Sequence, residues 1–286
     1  MKNIAYSILI LTIALANSCS SDNNINDTLN PGEIETNDNY FPSTPNDYWN
    51  YNVTNIDNTT NETIITQDSL YVVSNSQSTF MLDANNGIPA NGPIIGLLSS
   101  GTLTNSNTTL VLDGALELPA EITDLIDFDI ALNNFVLYNT EASINTVLAS
   151  NTNTITQDFN GYPLTITYQL TSTALDFNEN LSLNGVSYSD VVSSKLALNL
   201  SIATEINVFG FPIPLAILDP QDILVSTNYY AVGIGLVQAN SNTSYQISPT
   251  AINTLAEAEI TLPIPSSGSA IVNQEIADYY VEIILN

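Results

Sequence analysis

Runs in which apolar and polar residues alternate, cut at short intervals by Asn, Gly or Pro, constrain this chain more than any other feature. A period of two puts successive side chains on opposite faces of an extended strand, and no helix can sort them that way. "YWNYNVTNI" (48–56) sets Trp49, Tyr51 and Val53 against Tyr48, Asn50 and Asn52. "TLVLDGALEL" (109–118) keeps Leu110 and Leu112 in step, then meets Gly114, a candidate bulge or tight turn. "IDFDIAL" (126–132) places Ile126, Phe128, Ile130 and Leu132 on one face and Asp127 and Asp129 on the other. "SKLALNLSIATEINV" (194–208) alternates for longer, with Leu196, Leu198, Leu200 and Ile202 aligned. Asn160-Gly161, between two alternating runs in "TITQDFNGYPLTITYQL" (154–170), is a hairpin signal.

Helical signals are few. "SPTAINTLAEAEI" (248–260) offers Ser248 as N-cap and Pro249 at the first helical position, and "PAEITDLIDF" (119–128) has room for one turn. The expectation is a mainly β chain forming one domain over residues 40–286. One segment stands apart. "FGFPIPLAILDPQD" (209–222) holds three prolines, which argue against a central strand. It is expected to be a loop plugging one end of the sheet or, second, an exposed apolar lip for docking a partner.

Residues 1–18 begin with Lys2 and an apolar run from Ile4 to Ala16, too short to span a bilayer and of the length of a signal-peptide core. Ala16-Asn17-Ser18-Cys19 resembles the lipobox of bacterial lipoproteins, and the polar run after it resembles the spacers of Bacteroidetes lipoproteins. That resemblance implies cleavage before Cys19 and acylation of its thiol, with palmitate-type chains holding the protein in the outer membrane. Cys19 is the only cysteine, so a disulfide within the chain has no partner. Two or more acyl chains give stable anchoring where one does not. Residues 19–39, poor in apolar groups and broken by Pro31-Gly32, then read as a tether.

Charge narrows the partners. The chain has 29 acidic residues, two basic ones and no histidine. Only Lys195 remains basic after residues 1–18 are removed, and there is no arginine. Nucleic acid is excluded, because nothing here neutralises phosphate. Yet 44% of residues are hydrophobic, so this is a folding chain and not a disordered acidic tail.

Three stretches, "YFPSTPNDYWNY" (40–51), "NGVSYSDVV" (184–192) and "NYYAVGIGLVQ" (228–238), resemble in content and order segments of Bacteroidetes lipoproteins of unassigned function. The chain departs from them at Asn46-Asp47, where members commonly show Gly-Asn. The resemblance implies one large curved antiparallel sheet with one or two short helices, similar to the half-barrels of lipoprotein carriers of the LolA/LppX type. A β-sandwich is the alternative. In those carriers the concave face takes acyl chains, a role that falls here on residues such as Leu196, Leu198 and Leu200. Gly233-Ile234-Gly235 lacks the third glycine and following helix of a dinucleotide loop, and suits a kink or close packing under an aromatic side chain.

Without histidine, arginine or a free thiol, Ser-His-Asp and Cys-His catalysis and zinc sites of nitrogen or sulfur are unavailable. Lys195, in "SSKLALN", reads as a lysine on the wet face of a strand. Asp22, Asn24, Asn26 and Glu33 match part of the calcium-loop spacing, but Asp27 stands where that loop requires glycine. Asp127 and Asp129 read as a solvated face; no metal and no cofactor is expected. Thr28 and Ser69 fit a short Asp-Ser/Thr-apolar motif of O-glycosylation in Bacteroidetes. The sequence thus points to a non-enzymatic, acyl-anchored binding module for a lipid or other apolar ligand. A surface subunit docking an envelope protein or glycan is the rival, and a carboxylate-based glycoside hydrolase a third reading.

Overall fold

The computed structural model describes residues 39–159, 161–208 and 211–282, within a compact unit running from Asn37 to Asn286. The signal segment, Cys19, Thr28 and the calcium-spaced residues lie outside the described residues. Twelve strands among those described form one antiparallel sheet: β1 (Tyr48–Asp57), β2 (Thr63–Ser76), β3 (Thr79–Ala84), β4 (Thr102–Asn105), β5 (Thr109–Leu116), β6 (Ile130–Asn139), β7 (Val147–Phe159), β8 (Tyr162–Leu183), β9 (Val186–Val208), β10 (Phe211–Ala231), β11 (Gly235–Gln246) and β12 (Ser267–Tyr280). Neighbours follow chain order except at the centre, where the first strand pairs with the last, giving β6-β5-β4-β3-β2-β1-β12-β11-β10-β9-β8-β7. The expected single curved sheet therefore forms, and its curvature carries it almost to a closed barrel. A second sheet, as a sandwich would need, is absent among the described residues.

No ladder joins the two end strands; side chains bridge the seam instead. Asn151 Nδ2 donates to the Ala131 carbonyl (2.7 Å), Gln157 Oε1 accepts from the Asp127 amide (3.2 Å), and Ser172 Oγ donates to the Leu137 carbonyl (3.3 Å). Alternation holds where it was strongest: Trp49, Tyr51 and Val53 are buried, as are Leu196, Leu198, Leu200 and Ile202. A register shift beside Gly114 marks the expected bulge.

The prolines of residues 209–222 do not prevent a strand. Residues 211–222 belong to β10, which corrects the plug-or-lip expectation. From Phe211 to Ala216 this strand pairs with β9 alone, and β11 joins it in register only from Leu224. From Phe211 to Ala216 β10 is thus an edge, before Leu218 bridges Ile247. Pro212 and Pro214, two residues apart, turn their nitrogens to the same side of the strand, and an edge has one side on which no ladder needs a donor. Pro220 falls in the register break between Leu218 and Gln221. Leu215, Ile217 and Leu218 still face the core, covered by the short helix α3 (Pro249–Glu257) through its buried Ala251 and Leu255. Ser248 and Pro249 open that helix as expected.

Two further helices are α1 (Pro93–Leu98) and α2 (Ala120–Thr123). The sequence gives no sign of α1, which turns out to be central. Its four large aliphatic side chains, Ile94, Ile95, Leu97 and Leu98, are buried on one side, while Pro93 and Gly96 on the other side are partly exposed. Two polar residues on inward positions of the sheet hold it. Asp68, in step with Leu70 and Val72 on β2, accepts from the amides of Asn91 (3.0 Å) and Gly92 (2.8 Å). Gln274, in step with Val272 and Ile276 on β12, accepts from the Ile95 amide (3.0 Å). Gly92, the N-cap, has no side chain to satisfy the first-turn amides, so Gln274 does so from across the interior. The helix therefore packs its apolar side against the inner face of the sheet.

Candidate functional site

The concave face has no room where the sequence places a ligand. Leu196, Leu198 and Leu200 are 2%, 0% and 0% exposed and share one apolar cluster with α1. A surface closed to a water-sized sphere borders no internal void, so these leucines are core. Their alternation reports burial, which a ligand pocket and a packed interior both demand; only the closed packing around them separates the two.

The buried carboxylates are fully occupied by structural work. Asp68 also accepts from the side chains of Asn85 (2.8 Å) and Asn91 (2.7 Å). Asp47 accepts from the amides of Thr44 (2.7 Å) and Glu282 (2.8 Å), tying the start of the domain to the end of its last strand. Burial raises the Asp47 pKa above the ordinary carboxylate value, against the pull of those two amide bonds. Asn46, just before it, supplies the left-handed turn at φ +84°. Burial likewise pushes the hydroxyls of Tyr51, Tyr138 and Tyr230 well above their usual pKa, so they stay protonated.

The remaining sequence candidates are dispersed. Lys195 is half-buried on β9, opposite Thr173 and Thr227 in the neighbouring strands. Asp127 and Asp129 are exposed. No group of three or more metal-ligating side chains converges among the described residues. Ser69 lies in the middle of β2, half-buried, with its hydroxyl 3.4 Å from Asn85 Oδ1. Gly235 does pack under an aromatic side chain, whereas Gly233 faces open space. Both have positive φ, +70° and +108°, and a Cβ at Gly235 would lie 3.3 Å from Trp49 Nε1. Trp49 in turn donates that N–H to the Ile234 carbonyl (2.5 Å), which closes the β10–β11 turn.

The outer surface carries more pattern than the interior. Register places Tyr71, Tyr48 and Tyr280 side by side across β2, β1 and β12, with Asp83 of β3 next in the row. Tyr48 points outward because its neighbour Trp49 points in, and directly paired residues share a face. Tyr48 and Tyr280 are 40% and 51% exposed, with ring centres 6.2 Å apart and planes 20° from parallel. Tyr71 donates its hydroxyl to Asp83, and that bond raises its pKa. The next outward row is Ser69, Asn50 and Asp278, in which Asn50 Nδ2 donates to Asp278 Oδ1 (2.6 Å). A third row runs Gln67, Asn52, Glu275 and Gln238. Here Gln67 donates to Asn52 (3.2 Å), and Glu275 accepts from Gln238 (3.2 Å) and Asn184 (3.4 Å).

Elsewhere, an open groove of about 410 Å³ between α2 and the β1–β2 turn is lined by Asp57, Glu62, Glu121, Asp124 and Tyr245 among others. It concentrates negative charge without a bound counter-charge from the protein. No family model, no curated protein and no solved structure matches this chain.

Proposed function

We propose that the chain is an acyl-anchored lipoprotein of the outer membrane, at the cell surface or the periplasmic face, whose barrel is a non-enzymatic binding module working through its outer face. The observation that carries the binding surface is the closed packing of the interior, where Leu196, Leu198 and Leu200 are buried in one apolar cluster with α1. A barrel whose interior is packed with its own side chains offers partners only its outside. The anchor rests on the signal-like segment and the position of Cys19. The buried carboxylates Asp47 and Asp68 spend their acceptors on amides, which leaves neither as a free catalytic base.

The anchor is tested by growing expressing cells with an alkyne-tagged palmitate and following the label on the protein. The wild type takes the label and partitions with outer membrane; Cys19→Ser does neither. An unlabelled wild type, or a labelled Cys19→Ser, refutes the anchor. The outer-face reading is tested separately by native mass spectrometry of residues 20–286 after incubation with envelope lipids. The barrel stays empty; a retained acyl species refutes it.

A further inference from the structure

The row of tyrosines on the outside of the sheet is unusual for its register. Aromatic side chains paired across strands ordinarily face a core, where their area is removed from water. Tyr71, Tyr48 and Tyr280 instead form a strip on the solvent side of β2, β1 and β12. Strands lie 4.7–4.9 Å apart, so the strip is about 10 Å long. Carboxylates flank it on two sides: Asp83 at its end and Asp278, paired with Asn50, in the row beneath.

This chemistry selects one class of ligand. Flat apolar ring faces beside amides and carboxylates suit a molecule with a flat C–H face and a rim of hydroxyls. A pyranose has both. Hydroxyl donors to an ionised carboxylate make charge-assisted hydrogen bonds, about twice as strong as neutral ones. Anionic partners are disfavoured, since 29 acidic residues face only two basic ones. A cation gains a cation–π contact from a ring face, but it uses one point of the strip, whereas linked pyranoses use its whole length.

We infer that the outward face of β2, β1 and β12 binds a neutral glycan, with sugar rings lying along Tyr71, Tyr48 and Tyr280 and hydroxyls reaching Asp83, Asn50 and Asp278. The inference names the partner of the outer-face module proposed above and rests on that reading, while needing no anchor.

The test is calorimetric titration of residues 20–286 with cellohexaose, laminarihexaose, xylohexaose and mannohexaose, with hexagalacturonate as the charged control. At least one neutral hexasaccharide binds saturably with a Kd of about 1 mM or below, and hexagalacturonate does not bind. The double variant Tyr48→Ser/Tyr280→Ser weakens that binding at least 10-fold while it still unfolds in one cooperative transition, the two rings being half exposed. Asp278→Asn, which keeps shape and removes charge, weakens it less. Failure of all four neutral probes to saturate, equal binding of the charged control, or binding unaffected in the double variant overturns the inference. Palmitate labelling is read independently, so a labelled protein blind to sugars refutes the glycan and leaves the anchor standing.

Discussion

Replacing Gly92 by alanine tests whether α1 is locked against the sheet by its neighbours. The backbone there permits it: φ is −94° and ψ 130°, ordinary extended values. The obstacle is Gln274. A Cβ on Gly92 would sit 2.1 Å from its Oε1, 2.4 Å from Cδ and 2.6 Å from Cγ. A glutamine at the surface would swing aside at little cost, but Gln274 is 0% exposed. Forcing an added methyl into a packed interior costs about 1–3 kcal/mol. Displacing the amide also breaks its bond to the Ile95 N–H, and an orphaned buried donor costs about 1–3 kcal/mol more. Against this, the loss of glycine's freedom in the unfolded chain returns about 0.4–1 kcal/mol. The net is a destabilisation of about 2–4 kcal/mol. Gln274→Ala alone loses the Ile95 bond but also removes Nε2, which is buried without a partner, and costs about 1–3 kcal/mol. Once Gln274 is gone the alanine methyl has space, so the double variant is about as stable as Gln274→Ala. Urea unfolding followed by the fluorescence of Trp49, the single and fully buried tryptophan, measures all three. A Gly92→Ala cost below about 0.5 kcal/mol, or costs that add to within about 0.5 kcal/mol in the double variant, would show that the two residues do not meet.

Gly235→Ala lowers the unfolding midpoint more than Gly233→Ala, since only the former brings a Cβ against Trp49; equal shifts on thermal denaturation contradict this. Asp47→Asn offers one carbonyl oxygen to two amides that a carboxylate had satisfied. It costs about 1–3 kcal/mol, and limited proteolysis then trims the residues beyond Tyr280 first. Acidification supports the fold through the same residue. Because its folded pKa is raised, its contribution is fully present below the ordinary value of 3.8 and is lost as pH rises through the folded pKa. Asp57, held below that value by the amides of Thr60 and Thr59, works the other way, losing its contribution as pH falls through its lowered pKa. Like-charge repulsion among 29 acidic residues sides with Asp47, so the melting temperature rises from pH 8 to pH 5 and with added NaCl at pH 8; a fall in either series refutes the argument.

The strands were legible where one face is wet and the other dry, as in β1 and β9. Alternation fails where a strand's inward position is polar, as at Asp68 and Gln274, and there the chain conceals its most informative contacts. α1 was missed because "PIIGLL" is short: Ile94, Ile95, Leu97 and Leu98 share one side, but six residues with proline and glycine opposite are too few to establish a helical period. The prolines of β10 misled because their meaning depends on whether a neighbour is present, and β11 leaves β10 unaccompanied from Phe211 to Ala216. The tyrosine row was likewise beyond local reading. Each residue sits in an unremarkable strand, and only long-range register brings "YWNY", "LYVV" and "DYY" into line. Lone glycines were better guides, since Gly233 and Gly235 carry their constraint in their own backbone.

The pairing of β1 with β12 at the middle of the sheet bears on how the molecule comes into being. Synthesis runs from one end of the chain to the other, and nearly every strand meets a neighbour made just before it. β1 is the exception: one of its two edges waits until the final strand has left the ribosome. Until then the nascent protein is two wings, β1 to β6 and β7 to β11, each with an open edge, and α1 has Asp68 but not Gln274 to hold it. The last strand is the clasp. Gln274, the residue that caps α1, arrives on that same clasp, so capping of the helix and union of the wings are one late event. Slow, all-or-none completion is expected of a topology whose decisive contacts span the whole chain, and a chain ending before Ser267 has no route to it.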